Sequence, residues 1–142
     1  MLAMKLLTET LAFKTKGQGD FVDITQSVQE RLAASDLREG QATVFVVGST
    51  AAVTTFEFEP GLKNDMAKLY ETLAPAGQDY AHHQTWNDDN GSSHLRAAVQ
   101  GPSLSIPFVD GRLVLGTWQQ VVLAEFDTRP RERRVVLQLM GK

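Results

Sequence analysis

Apolar and polar side chains alternate from residue 7 to residue 16, and the run, through Leu11 and Phe13, meets Gly17-Gln18-Gly19-Asp20. Alternation with a period of two that stops at glycines predicts a strand entering a turn. Residues 21–25, Phe-Val-Asp-Ile-Thr, are short and extended in character. Thr25 fits the N-cap of a helix of about three turns, because Val28, Leu32 and Ala33 follow at helical spacing and the pattern fades before Gly40.

Residues 41–47 form a β-branched and aromatic run that ends at Gly48, and residues 51–57 resume it after Ser49 and Thr50. Two strands with a tight Gly-Ser-Thr junction are expected. Pro60 and Gly61 interrupt the pattern; Leu62, Met66, Leu69, Tyr70 and Leu73 then mark one face of a second helix that stops before Pro75. Beyond residue 94 the chain reads as strands at 95–99, 104–109, 112–115, 119–126 and 133–140, divided by Gly-Pro, Asp-Gly, Gly-Thr and Arg-Pro. Asp110-Gly111 is a strong hairpin signal. The expected architecture is one α+β domain over residues 1–142, with two packed, mainly antiparallel sheets in a β-sandwich-like arrangement and two helices.

Residues 80–94 interrupt this regularity with all three histidines, His82, His83 and His94, among Asn, Asp, Gly and Ser. Turn formers dominate the second half, so a connecting loop is expected, and loops commonly display functional side chains on a rigid scaffold. Asp88 lies midway between His82 and His94; a looped backbone would fold the three onto one point, which neither a single helix nor a single strand would do. Two imidazoles and a carboxylate suit a divalent metal such as Mg²⁺ or Zn²⁺, and without metal the same groups serve as acid and base near neutral pH. The plainer alternative is a polar turn in which His82 and His83 are half-exposed and His94 heads a strand.

Other segments carry weaker signals. Gly48-Ser49-Thr50 can present N–H groups and hydroxyls to a phosphate, although a bulge or tight bend is the commoner use of such a junction. Glu57 and Glu59 alternate with Phe56 and Phe58, which puts acids and rings on opposite faces of a strand end. Trp118 reads as core or interface and Gln119 as a polar group satisfied by backbone. Four arginines lie within residues 129–134, a solvated turn, an anion site or a partner for acids across a subunit contact.

Composition narrows the classes. With 142 residues the chain is one domain long, 42% hydrophobic and 22% charged, which favours neither disorder nor a membrane protein. Net charge is −3, so no overall attraction draws the chain to nucleic acid. The absence of cysteine removes disulfides and thiolates and leaves His, Asp and Glu as metal ligands. The apolar opening residues are broken by Lys5, too short a run for a signal peptide or membrane span, and a cytoplasmic location without membrane contact is expected.

Several segments together resemble one family. They are Phe13-Lys-Thr-Lys16, Phe21-Val-Asp-Ile-Thr25, Ser49-Thr50-Ala-Ala-Val53 with Glu57, the series Tyr80, His82, Asp88, Asn90 and His94, then Gly101-Pro-Ser103-Leu104 with Pro107, Gly111 to Gln119, and Glu125-Phe-Asp127 with Pro130, Arg131 and Arg133. Over nearly its whole length the chain is similar to the YjbQ family, also called the secondary thiamine-phosphate synthase family. The resemblance implies a compact α+β domain that assembles as a homotrimer, with sites near subunit contacts, and a reaction that joins a pyrimidine pyrophosphate to a thiazole phosphate and releases diphosphate. It marks His82, Asp88 and His94 as catalytic or metal-binding positions and Ser49, Thr50, Glu57, Asn90 and Gln119 as positions for a small phosphorylated substrate, with a divalent metal and no organic cofactor. Two positions depart from the family pattern: Gly48 stands where a histidine is usual, and Phe56 where an asparagine is usual.

Three functions follow. The first is a phosphate-handling transferase of the thiamine-phosphate synthase kind, in which donors on Ser49, Thr50, Asn90 or an arginine neutralise the leaving diphosphate. The second is a metabolite- or phosphate-binding trimer without catalysis, which the loss of an imidazole at Gly48 would produce. The third is a metal-dependent hydrolase using a water activated between His82, Asp88 and His94.

Overall fold

The computed structural model describes residues 3–142. Met1 and Leu2, the start of the apolar opening, lie outside the described residues. Twelve elements follow in chain order: β1 (Lys5–Lys14), β2 (Asp20–Asp23), α1 (Thr25–Ala34), β3 (Gly40–Val47), β4 (Ala51–Phe56), α2 (Pro60–Leu73), α3 (Ala81–Trp86), α4 (Gly91–Gln100), β5 (Ser103–Val109), β6 (Arg112–Leu113), β7 (Gln120–Glu125) and β8 (Glu132–Gly141). The strands form a five-stranded sheet in the order β1-β8-β3-β5-β6 and a three-stranded sheet in the order β2-β7-β4. All pairings are antiparallel.

The inward residues of the large sheet, including Val44, Val46, Ile106, Val135 and Leu137, meet Val53, Val121 and Leu123 of the small one, with Val28 and Leu32 of α1 at the same core. The opposite face of the small sheet presents Ala52, Val122 and Ala124 to Tyr70 of α2 and Ala97 of α4, closed by Phe21 and Phe126. A strand covered on both faces has no polar side to show, which is why β7 reads Gln-Val-Val-Leu-Ala-Glu. The α+β class and the packed antiparallel sheets agree with the sequence reading; the small sheet is the middle of three layers, with helices as the third.

Four helices replace the two expected. Residues 81–86 are helical, and residues 95–99, read as a strand, lie inside α4. Leu95 and Val99 are exposed while Ser93, Arg96 and Ala97 are buried: α4 packs its small side and one arginine inward, and its large apolar residues outward, so the alternation in the sequence pointed the wrong way. Arg96 donates from Nε to the Ala74 carbonyl (2.9 Å) and from Nη2 to Glu71 (2.6 Å), binding α4 to the end of α2.

Two helix starts also differ. Ile24, not Thr25, occupies the N-cap of α1, and the Thr25 hydroxyl instead donates to Asp23 (2.6 Å) and accepts from the Val121 N–H (2.8 Å), fastening the helix to β7. Glu59 caps α2 by accepting from the N–H groups of Gly61 and Leu62, with Pro60 at the first position, where a missing N–H costs nothing. The Asp110-Gly111 turn forms as expected, with φ of 53° and 74°. Gly48-Ser49-Thr50 carries the chain from the large sheet to the small one. Trp118 is 71% exposed and belongs to no core. Among the described residues no helix is long and apolar enough to cross a membrane.

Candidate functional site

The segment that carries the histidines is a bent pair of short helices rather than a loop. α3 ends at Asn87, whose left-handed φ of 52° turns the chain, a conformation asparagine tolerates better than most residues. Asn90 then precedes α4. The bend brings residues on two helices together: the His82 and His94 rings lie 4.5 Å apart between centroids, and His82 Nε2 is 3.2 Å from Asp88 Oδ2. With its NH2 turned inward, Asn90 donates to His82 Nε2 at 3.1 Å and to both Asp88 oxygens at 3.2 Å; with its oxygen inward it accepts from the same ring nitrogen. Four residues that the sequence singled out, His82, Asp88, Asn90 and His94, converge.

They meet through hydrogen bonds and ring contact rather than around a vacant point, since the His82 nitrogen facing Asp88 is already engaged by it. Among the described residues no group of three or more His, Asp or Glu side chains is gathered to hold a metal ion. His83 serves the local fold instead. Its Nε2 accepts from the Gly91 N–H at 2.9 Å, and its ring stands edge-on to Tyr80 at 5.5 Å. Gly91 is confined beneath them, where a Cβ would come within 2.7 Å of Tyr80 Cβ and 2.9 Å of His83 Nε2.

His94 lines two hollows that share Gly48 and Ser49 with it. One, of about 360 Å³, is bounded by Ala51, Ala97, Ala98 and Pro102, with Gly48 and Ser49 at its edge. The other, a polar cleft of about 330 Å³, is lined by Ser49, Thr50, Asn90 and His94 opposite Arg131, Arg133 and Arg134, with Asp127 and Glu132 also present. The arginine run is thus more than a solvated turn: β8 alternation turns Arg133 inward and Arg134 outward, both beside the cleft.

Beneath the cleft lies a buried polar network. Glu125 and Arg133 are 0% and 3% exposed and paired. Arg133 Nε and Nη2 both donate to the Glu125 carboxylate, and Nη2 donates also to the Thr50 hydroxyl at 2.7 Å. The remaining capacity of Glu125 is met by the Thr15 hydroxyl at 2.7 Å and the Asp127 N–H at 3.0 Å. Thr50 in turn donates to Asp127 at 3.0 Å, which also pairs with Arg131 at 3.2 Å. Burial by itself would raise the Asp127 carboxyl; hydrogen bonds from the Thr128 N–H and the Thr50 hydroxyl, with the charges of Arg131 and Arg133, hold it below its ordinary value. Thr50 is therefore committed to this network, while Ser49 is exposed at the cleft.

Two expected positions lie elsewhere. Gln119 accepts from the Gly116 N–H (3.0 Å) and donates to Thr55 (3.1 Å), closing a turn. Glu57 is exposed just after β4. Both sit near the Phe56–Gln120 end of the small sheet, whereas the cleft adjoins the Ala51–Glu125 end, roughly 16 Å away along the strand at about 3.3 Å per residue. Arg131, Arg133, Arg134 and Asp127, prominent in the cleft, entered the sequence reading only as an arginine run with a possible anion-binding use and as part of the family resemblance, with no site role given to any one of them. Their signal was the coincidence of Glu125 and Asp127, two residues apart, with Arg131 and Arg133 at the same spacing a few residues on, acids and bases that the connection between β7 and β8 brings together as the pairs Glu125–Arg133 and Asp127–Arg131.

A family model described as UPF0047 protein YjbQ-like matches residues 9–142. The chain belongs to this family. A UPF0047 protein of Methanothermobacter thermautotrophicus is 36% identical over 98% of this chain and 95% of its own length, and another from Archaeoglobus fulgidus is 38% identical over 92% and 98%. Among solved structures, a YbjQ-like protein of unknown function from Sulfolobus solfataricus superposes with a TM-score of 0.91 at 30% identity, covering 99% of this chain and 100% of that one. A hypothetical protein of Aeropyrum pernix gives 0.84 at 36% identity, over 94% and 99%. Both solved structures thus share the fold of this chain over nearly its whole length.

Proposed function

We propose that the protein is an enzyme acting on a small molecule that carries both a phosphate group and a ring, with thiamine-phosphate formation as its reaction. The observation that supports this reading most is that His94 lines both an apolar hollow fit for a ring and a cleft with three arginines fit for phosphate. In the proposed reaction a thiazole nitrogen attacks the pyrimidine methylene carbon. The new C–N bond forms as the C–O bond to diphosphate breaks, and the electron pair departs on the diphosphate oxygen. Arg131, Arg134 and Arg133 offset that charge, Ser49 donates a hydrogen bond to it, and His94 supplies the proton. His82, fixed by Asp88 and Asn90, orients the His94 ring against which it packs.

The test is product formation from the two phosphorylated substrates by purified protein, with and without Mg²⁺. His94→Ala is expected to lower the rate about 10²- to 10⁴-fold, the usual span of an acid–base group, and Asp88→Ala is expected to lower it less. Equal rates in the wild type and both variants would contradict the assignment. A second reading, a phosphate-binding protein without turnover, draws support from Gly48, which leaves one fewer imidazole beside His94. It predicts saturable diphosphate binding with no product.

Assembly as a homotrimer is part of the proposal. The outer face of the large sheet exposes Leu6, Phe45, Val47 and Met140, and register aligns Phe45 with Val136 and Val47 with Arg134. Arg134 therefore stands both on this face and at the cleft, so contact through the sheet would bring a neighbouring chain to the rim of the site.

A further inference from the structure

We infer that Gly48 opens the floor of the polar cleft onto Nη1 of Arg133, making this buried guanidinium a binding group for one phosphate of the ligand. The inference rests on the phosphate-handling reading of the cleft and assigns the subsite within it.

Three observations carry it. Arg133 is 3% exposed, yet it lines the cleft. Its hydrogen bonds to Glu125 and Thr50 use Nε and Nη2 and leave Nη1, with two N–H groups, without a protein acceptor among the described residues. The backbone that approaches Nη1 is Gly48: a Cβ built there would lie 2.9 Å from that nitrogen. Any other side chain would sit on the one free edge of the guanidinium. Gly48 also has a φ of 151°, a conformation that glycine adopts without penalty.

A donor held in this way suits an anion. Glu125 fixes the guanidinium plane with paired hydrogen bonds, so no side-chain freedom remains to be lost when Nη1 binds a phosphate oxygen. The same pairing offsets much of the Arg133 charge, and Asp127 offsets part of that of Arg131, so Arg133 contributes direction, while Arg134 contributes most of the attraction. Two carboxylates, Asp127 and Glu132, also line the cleft. Asp127 is occupied by Thr50, Thr128 and Arg131, and Glu132 sets a limit on how much negative charge the cleft accepts. The class of ligand is a phosphate ester or diphosphate whose terminal oxygens reach the floor between Ser49 and Arg133.

The test uses full-length protein and inorganic diphosphate, read by calorimetric titration and by ¹⁵N NMR of the arginine side chains. Wild-type protein should bind, with a shift of the Arg133 guanidinium resonance at saturation. Gly48→Ala should weaken binding about tenfold or more, the loss of one charge-assisted hydrogen bond. Gly19→Ala is the control: its φ of 81° is also positive, but nothing lies within 4 Å of the added Cβ, so its affinity should match the wild type. If diphosphate binds while Arg133 stays unshifted and Gly48→Ala binds as well as wild type, the subsite is wrong and the phosphate reading stands. If wild-type protein binds no diphosphate, the phosphate reading fails and the subsite with it. The wild-type NMR titration decides even if Gly48→Ala does not fold.

Discussion

At the scale of single residues, the polar groups around the cleft serve stability and chemistry in different proportions. Glu125 and Arg133 are buried and mutually satisfied, so Glu125→Ala leaves a guanidinium unpaired in the interior and should cost roughly 3–5 kcal/mol in denaturant unfolding. Gly91→Ala should cost about 1–3 kcal/mol, because Tyr80 and His83 hold the space that a Cβ needs. Asp127 gives a pH signature. Its folded pKa lies below the ordinary value of 3.8, so its contribution to stability is complete well above that value and is lost as the pH falls through 3.8 toward the folded pKa. Thermal melts of wild type and Asp127→Asn should therefore differ by a constant amount from neutrality down to about pH 5 and converge in stronger acid; a gap that persists unchanged below that range would contradict the account.

At the scale of elements, the strands were legible because each buries one or both faces and carries the expected period. β8 shows the alternation plainly, and β7 shows the continuous apolar run of a strand covered twice. α4 was not legible. Its buried side is Ser92, Ser93, Arg96 and Ala97, small or charged residues that a hydrophobicity pattern counts as surface, and its exposed side is Leu95 and Val99. The arginine makes sense only with Glu71 and the Ala74 carbonyl in place, contacts more than twenty residues distant in sequence. Arg96→Ala should loosen α4 from α2 by about 1–3 kcal/mol, the cost of orphaning a buried carbonyl and losing a charged hydrogen bond, seen as faster amide exchange across α4. The candidate site was half legible for the same reason. His82, Asp88, Asn90 and His94 share one short segment and could be read together, while the arginines reach the cleft through the pairing of β8 with β3 and through their contacts with Glu125 and Asp127.

At the scale of the whole molecule, the three layers place the cleft where β3 crosses between sheets, with α4 above and the start of β8 below. The exposed apolar face of the large sheet adjoins that cleft through Val47 and Arg134. If copies assemble there, Phe45→Glu should convert a trimer into monomers in sedimentation equilibrium without lowering helix or strand content; a wild-type protein that sediments as a monomer would contradict the proposed assembly. Glu57 and Gln119 lie near the Phe56–Gln120 end of the small sheet, away from the cleft at its Ala51–Glu125 end.

The most direct measurement for the phosphate-handling cleft is a crystal structure of the protein soaked with inorganic diphosphate. The account predicts the diphosphate between His94 and Ser49 on one wall and Arg131 and Arg134 on the other, with one oxygen on Arg133 Nη1. Diphosphate bound at the Gln119 surface with the cleft left empty would contradict it.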